Sequence, residues 1–186
     1  MPGAIEDIGN CVIYGCDRLL TTVIYNSDEV NQWLMQRYAN LPYHQACSSI
    51  SITFQAIDGC FQEHGIELAT EVDDHQMTAL HILCANPRVT GDAVNAYLTL
   101  ASDTANAQDG TGRTGLHILC SLPYKETSTS DAIRAYLQLA PEAVNQQDSD
   151  GMTPFQHLCR SDVTFLDERN FSSLMIWWYH CMPPQT

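Results

Sequence analysis

The stretch Met77–Cys84, MTALHILC, returns 36 residues later at Arg113–Cys120 as RTGLHILC, and this recurrence decides the fold. Aligned on it, LPYHQAC ending at Cys47 and TPFQHLC ending at Cys159 fall into phase, so the motif spacings are 37, 36 and 39 residues. A period of this size marks stacked helix pairs, in which each unit buries its apolar face against its neighbours.

The residues that follow each motif fit that reading. In AVNAYLTLA, Val94, Tyr97, Leu98 and Ala101 lie at i, i+3, i+4 and i+7, one face of a helix, and in AIRAYLQLA the set recurs as Ile133, Tyr136, Leu137 and Ala140. Ile57, Cys60, Phe61 and His64 repeat the spacing earlier, and Leu174, Trp177, Trp178 and Cys181 later. Each unit therefore gains a second helix. Asp92 and Asp131 suit the positive ends of two of these helices, with Thr90 and Thr129 as caps beside them. Between units, Asn106–His117 (NAQDGTGRTGLH) and Asn145–Gln156 (NQQDSDGMTPFQ) are polar and rich in Gly, Asp and Ser, as tight turns require.

The order Asn-x-x-Asp, two residues, Gly-x-Thr, one residue, an apolar residue and His resembles the hairpin that leads into the first helix of an ankyrin repeat. Thr78, Leu80 and His81 match that family's Thr-x-Leu-His signature, as do Thr114, Leu116 and His117; Thr153 and Pro154 match its Thr-Pro, whereas Phe155 and Gln156 replace the usual Leu and His. The units exceed the family's period of about 33 residues. The excess falls between the helices, in ANPRVTGD and SLPYKETSTSD, which are expected to protrude. The resemblance implies a mainly α solenoid of about four stacked helix pairs with hairpin-like connectors over residues 27–186, with units near 41–77, 78–113, 114–152 and 153–182.

The segment Ile5–Ile24 does not follow the helix-pair pattern. Ile8, Gly9, Ile13, Gly15, Cys16, Leu19 and Ile24 resemble one turn of a BspA-like leucine-rich repeat, which implies a short β segment within residues 1–26, either a cap or the end of a longer repeat array. At the other end the pattern FSSLMIWWYHCM is apolar on more than one side, which leaves Trp177 and Trp178 either folded over the core or exposed as a docking patch.

The 8 Lys and Arg against 22 Asp and Glu give a net charge of -14, which repels phosphate backbones and anionic lipids. Neither a nucleic acid nor a membrane is the expected partner, and the chain is expected to be soluble and cytoplasmic, with the nucleus as an alternative. Cys47, Cys84, Cys120 and Cys159 hold one repeated core position about a repeat apart, too far for disulfide bonding, so free thiols are expected. His and Cys three apart share a helix face and could supply two zinc ligands, but four are needed, and the packing reading is simpler: a small core Cys, and a His bonded to the connector backbone. No nucleophile elbow or Gly-rich phosphate loop occurs. No enzyme activity, metal or cofactor is assigned, and no oligomeric state.

A stack of helix pairs suits the grasp of a protein segment. The expected function is a non-enzymatic interaction scaffold. The resemblance implies contacts at the connector tips (Asp74, His75 and Gln76; Gly110, Thr111 and Arg113; Ser149, Asp150 and Met152) and along the concave face of the first helices. Acidic tips point to a basic partner segment. Two other readings stand beside it: a structural spacer or C-terminal fragment of a longer repeat protein, and a zinc or thiol site built from the His-x-x-Cys columns, His44 with Cys47, His81 with Cys84 and His117 with Cys120.

Overall fold

A computed structural model of the chain describes residues 28–49, 52–122 and 127–161. The protein is mainly helical, with no strand among the described residues. In chain order the helices are α1 (Asp28–Arg37), α2 (Pro42–Ser48), α3 (Phe54–His64), α4 (Ala79–Ala85), α5 (Gly91–Leu100), α6 (Gly115–Ser121), α7 (Thr127–Leu139) and α8 (Pro154–Ser161). Short 3₁₀ turns at Ile66–Thr70, Ser102–Thr104 and Pro141–Asn145 follow α3, α5 and α7. The BspA-like segment, the loop before α7 (residues 123–126) and the helix expected around Leu174, Trp177, Trp178 and Cys181 lie outside the described residues.

The helices pack in two columns: α2, α4, α6 and α8 contact one another in succession, and so do α3, α5 and α7. α2 pairs with α3, α4 with α5 and α6 with α7. Helices of seven residues are too short to persist alone, so this packing is what holds them. α4 reads ALHILCA, apolar around its whole circumference, and every one of its residues is buried. α5 is one-sided: Ala93, Val94, Ala96, Tyr97 and Leu98 are buried, while Asp92, Asn95 and Thr99 are exposed. Residues at equivalent repeat positions, Leu80 and Leu116, Leu83 and Leu119, Tyr97 and Tyr136, all have essentially no exposure. Each buried Leu contributes about 1.5–3 kcal/mol.

The structure departs from the sequence expectations at several points. α1 lacks a counterpart in the repeat alignment, although Val30, Leu34 and Tyr38 recur at every fourth residue and are all buried. It packs on α2. Thr90 caps α5, its hydroxyl accepting the Ala93 N–H at 3.2 Å, but Thr129 does not cap α7. That helix begins two residues earlier, at Thr127, and Thr129 is buried inside its first turn. The loop from Asn86 to Thr90 does not simply protrude. Asn86 is fully buried, its Nδ2 donating to the carbonyls of Cys47 and Ser49 at 3.0 and 2.9 Å, and Val89 is buried beside it. One inserted residue thus satisfies the carbonyls left open at the C-terminal end of α2 in the preceding unit.

Candidate functional site

Three connectors precede α4, α6 and α8, and each is organised by an aspartate. Asp73 Oδ1 accepts the N–H groups of His75 and Met77, Asp109 Oδ1 those of Thr111 and Arg113, and Asp148 Oδ1 those of Asp150 and Met152, all at 2.8–3.0 Å. The Asp N–H then closes the loop on the carbonyl four residues ahead, at Met77, Arg113 and Met152. The third residue after each Asp adopts positive φ: Gly112 at 78°, Gly151 at 73° and Gln76 at 61°. Glycine adopts this conformation freely; glutamine does so under strain.

The remaining oxygen of each Asp is held differently. Asp73 Oδ2 meets the Tyr38 hydroxyl at 3.3 Å and the Arg37 guanidinium at 4.0 Å. Asp109 Oδ2 accepts from Arg113 Nη2 at 3.1 Å, and Asp148 Oδ2 from His157 Nε2 at 2.6 Å. Burial works against the charge of Asp109, but hydrogen bonds from Thr111 and Arg113, with the guanidinium, outweigh it and hold the carboxyl below the usual carboxylate range. For Asp148 burial is likewise outweighed, by the bonds from His157, Met152 and Asp150.

Successive connectors are tied edge to edge. The Gly110 N–H donates to the His75 carbonyl and the Ser149 N–H to the Thr111 carbonyl, both at 3.0 Å. Gln108 Nε2 adds a bond to the Gln147 carbonyl at 2.9 Å. The three loops therefore form one continuous ribbon.

The repeated histidines join the ribbon to the helices. His44 Nε2 lies 2.7 Å from the Met77 carbonyl, His81 Nε2 2.9 Å from that of Arg113 and His117 Nε2 3.0 Å from that of Met152. In α4 and α6 the other ring nitrogen closes a reciprocal cap: the Thr78 N–H reaches His81 Nδ1 at 3.0 Å and the Thr114 N–H reaches His117 Nδ1 at 3.1 Å. A backbone N–H can only donate, so Nδ1 is an acceptor and the proton sits on Nε2. Both rings are neutral with both nitrogens engaged, which leaves no lone pair for a metal. Burial lowers the pKa of both histidines, more than the carbonyl partners raise it. Among the described residues no group of three or more His, Cys, Asp or Glu side chains is placed to hold a metal ion.

Cys47, Cys84 and Cys120 are buried and no disulfide joins them, nor Cys60 or Cys159. Burial raises the thiols of Cys47 and Cys84 and takes Cys60 up to about 11, so these sulfurs are poor nucleophiles at neutral pH. Leu80, Leu116 and Pro154 are buried in the first-helix column. Thr153 keeps the cap in the last unit, its N–H donating to Gln156 Oε1 at 2.7 Å.

Of the nine tip residues, Asp74, His75, Gln76, Gly110, Thr111, Ser149 and Asp150 are exposed along the ribbon. Arg113 and Met152 are half-buried, and the Arg113 guanidinium is turned onto Asp109 and Thr111. The first helices offer less: α4 is buried on all sides and only Ser121 of α6 is partly open, so the contact face expected there is closed in the middle units. Sequence reasoning passed over Asp73 and used Asp109 and Asp148 only as part of the Asn-x-x-Asp order, with no role for the carboxylates, although all three recur at the same 36- and 39-residue spacings as the cysteines. It also passed over Gln108 and Gln147. No family model matches the chain, and no curated protein matches its sequence.

Proposed function

We propose that the chain is an ankyrin-like solenoid that acts as a protein-interaction scaffold, without enzyme activity, and that it recognises a basic protein segment along the connector ribbon. The observation that carries this reading is the edge-to-edge bonding of the connectors, Gly110 to His75 and Ser149 to Thr111, which fixes seven exposed tip residues in one row. Fixed polar groups lose little freedom when they bind, which is the condition for specific contact with an extended partner. Asp74 and Asp150 supply the outward charge, in a chain whose net charge is -14, and steer a cationic segment toward the ribbon. A cytoplasmic setting is part of the proposal.

The test is capture of partners by the purified chain beside an Asp74→Asn, Asp150→Asn variant. These carboxylates are exposed, so the substitutions leave the turns intact; Arg113 is left unchanged because it holds Asp109. A partner whose captured segment is rich in Lys or Arg, and whose retention falls in the variant, supports the scaffold. A folded chain that retains nothing specific favours the spacer reading.

A further inference from the structure

The ribbon repeats one bonding pattern, and among the described residues the connector before α8 leaves that pattern open. In the second connector, the residue two after Asp109 offers a carbonyl, Thr111, and the residue before Asp109 offers a side-chain amide, Gln108; together they hold Ser149 N–H and Gln147 C=O of the third connector at 3.0 and 2.9 Å. The third connector has the same two groups in the same places: the Asp150 carbonyl, two after Asp148, and the Gln147 amide, one before it. Gln147, Ser149 and Asp150 are exposed, and neither the Asp150 carbonyl nor the Gln147 Nε2 has a hydrogen-bond partner among the described residues. The turn that positions them is held from within by Asp148, whose outer oxygen is fixed by His157.

In an extended chain a carbonyl and the N–H two residues on point to the same side. The segment that the second connector already holds presents that pair, C=O of residue 147 and N–H of residue 149, where it enters its turn. We infer that the open end of the ribbon at Gln147 and Asp150 docks an extended segment of a partner protein carrying a Lys or Arg, which adds to the ribbon as a further connector would. This rests on the reading of the ribbon as a protein-binding edge, and it specifies how the partner is held: by main-chain pairing first, with charge selecting the side chain. The basic residue follows from Asp150, the exposed carboxylate at that end. A second copy of this chain is the poorer occupant, because its complementary end, the Asp74 N–H, would bring Asp74 against Asp150.

The experiment is an NMR titration of the ¹⁵N-labelled full chain with a peptide of about ten residues alternating Val or Thr with Lys. The same peptide, N-methylated at its central residues, is the control. Docking at the ribbon end predicts shifts confined to the Ser149–Gly151 amides and the Gln147 side chain. It also predicts affinity about tenfold lower for the N-methylated peptide and about fivefold lower for Gln147→Leu. Equal binding of both peptides, with shifts spread evenly over Asp74, Thr111 and Asp150, overturns the ribbon-end inference and leaves the acidic-tip scaffold standing. No binding of either peptide overturns both. Concentration-dependent shifts at Asp74 and Asp150 without peptide assign the end to a second copy and overturn the partner inferred here.

Discussion

His81, in the middle of one helix pair, holds the main chain of the next: its Nε2–H donates to the Arg113 carbonyl at 2.9 Å while its Nδ1 receives the Thr78 N–H at 3.0 Å. One neutral ring closes its own helix and fastens the following connector. His117 repeats both bonds, with Thr114 and Met152. His44 makes only the forward bond, because the Leu41 N–H that would meet its Nδ1 is spent on the Tyr38 carbonyl; that buried nitrogen is left without a partner.

The two functions of the ring separate by substitution. His81→Ala loses the cap and the inter-unit bond and opens a cavity, a loss of about 3 kcal/mol. His117→Gln keeps the cap, as Gln156 does for Thr153, and forfeits chiefly the bond to Met152, a loss of about 1.5 kcal/mol. Urea denaturation of the two variants should rank them in that order; an equal loss would mean that the cap and the cavity contribute nothing and the inter-unit bond carries the whole effect.

Stability should fall on mild acidification. The folded-state pKa values of His44, His81 and His117 lie below the ordinary 6.5, so between those values and 6.5 the unfolded chain binds more protons than the folded one. The contribution is complete above pH 6.5 and is lost as pH falls below it, by at most about 1.4 kcal/mol per pH unit for each histidine. Melting temperature followed from pH 8 to about 5 should be level and then drop, and the drop should be shallower in His117→Gln. A flat profile would contradict the neutral, doubly bonded rings.

Two glycines share a backbone conformation and should differ in tolerance. A Cβ at Gly151 meets nothing within 4 Å, so Gly151→Ala carries only the strain of positive φ, about 1 kcal/mol. At Gly112 the added carbon would stand 2.7 Å from the Ser149 main-chain nitrogen, in the contact that joins two connectors. Gly112→Ala should therefore lose about 3 kcal/mol, and hydrogen exchange at the Ser149 amide should accelerate in that variant alone.

Gln76 holds the position that Gly112 and Gly151 occupy in the other connectors, at φ 61°. Gln76→Gly removes the left-handed strain and adds freedom to the unfolded chain, so the net gain should be about 0.5 kcal/mol. Thermal melts would register it as a small rise; a fall would place an energetic role on the Gln76 side chain.

Much of this architecture was legible because it is periodic. Val94, Tyr97 and Leu98 against Ile133, Tyr136 and Leu137 mark helices by spacing alone, and all six are buried. Asp73, Asp109 and Asp148 were equally periodic, and the last two stand in the Asn-x-x-Asp order of the connectors, yet spacing alone assigns their carboxylates no structural task. A carboxylate becomes an internal organiser only when two main-chain N–H groups and a side-chain donor converge on it, and convergence cannot be read from spacing. Arg113 illustrates the same limit: a lone cation among polar residues reads as a contact, whereas the fold turns it onto Asp109 at 3.1 Å.

The sequence by itself determined the repeat, the placing of the paired helices it was able to phase, the cap at Thr90, and the burial of Cys47, Cys84 and Cys120, because each depends on local spacing and hydrophobic burial. Only the tertiary structure decided that the connectors join into one ribbon, that Asn86 closes the preceding helix, that α4 has no open face, and that the Asp150 carbonyl has no partner among the described residues. Those features rest on hydrogen bonds between residues some 30 to 40 positions apart, and such bonds exist only once the stacking of units has brought their backbones within 3 Å.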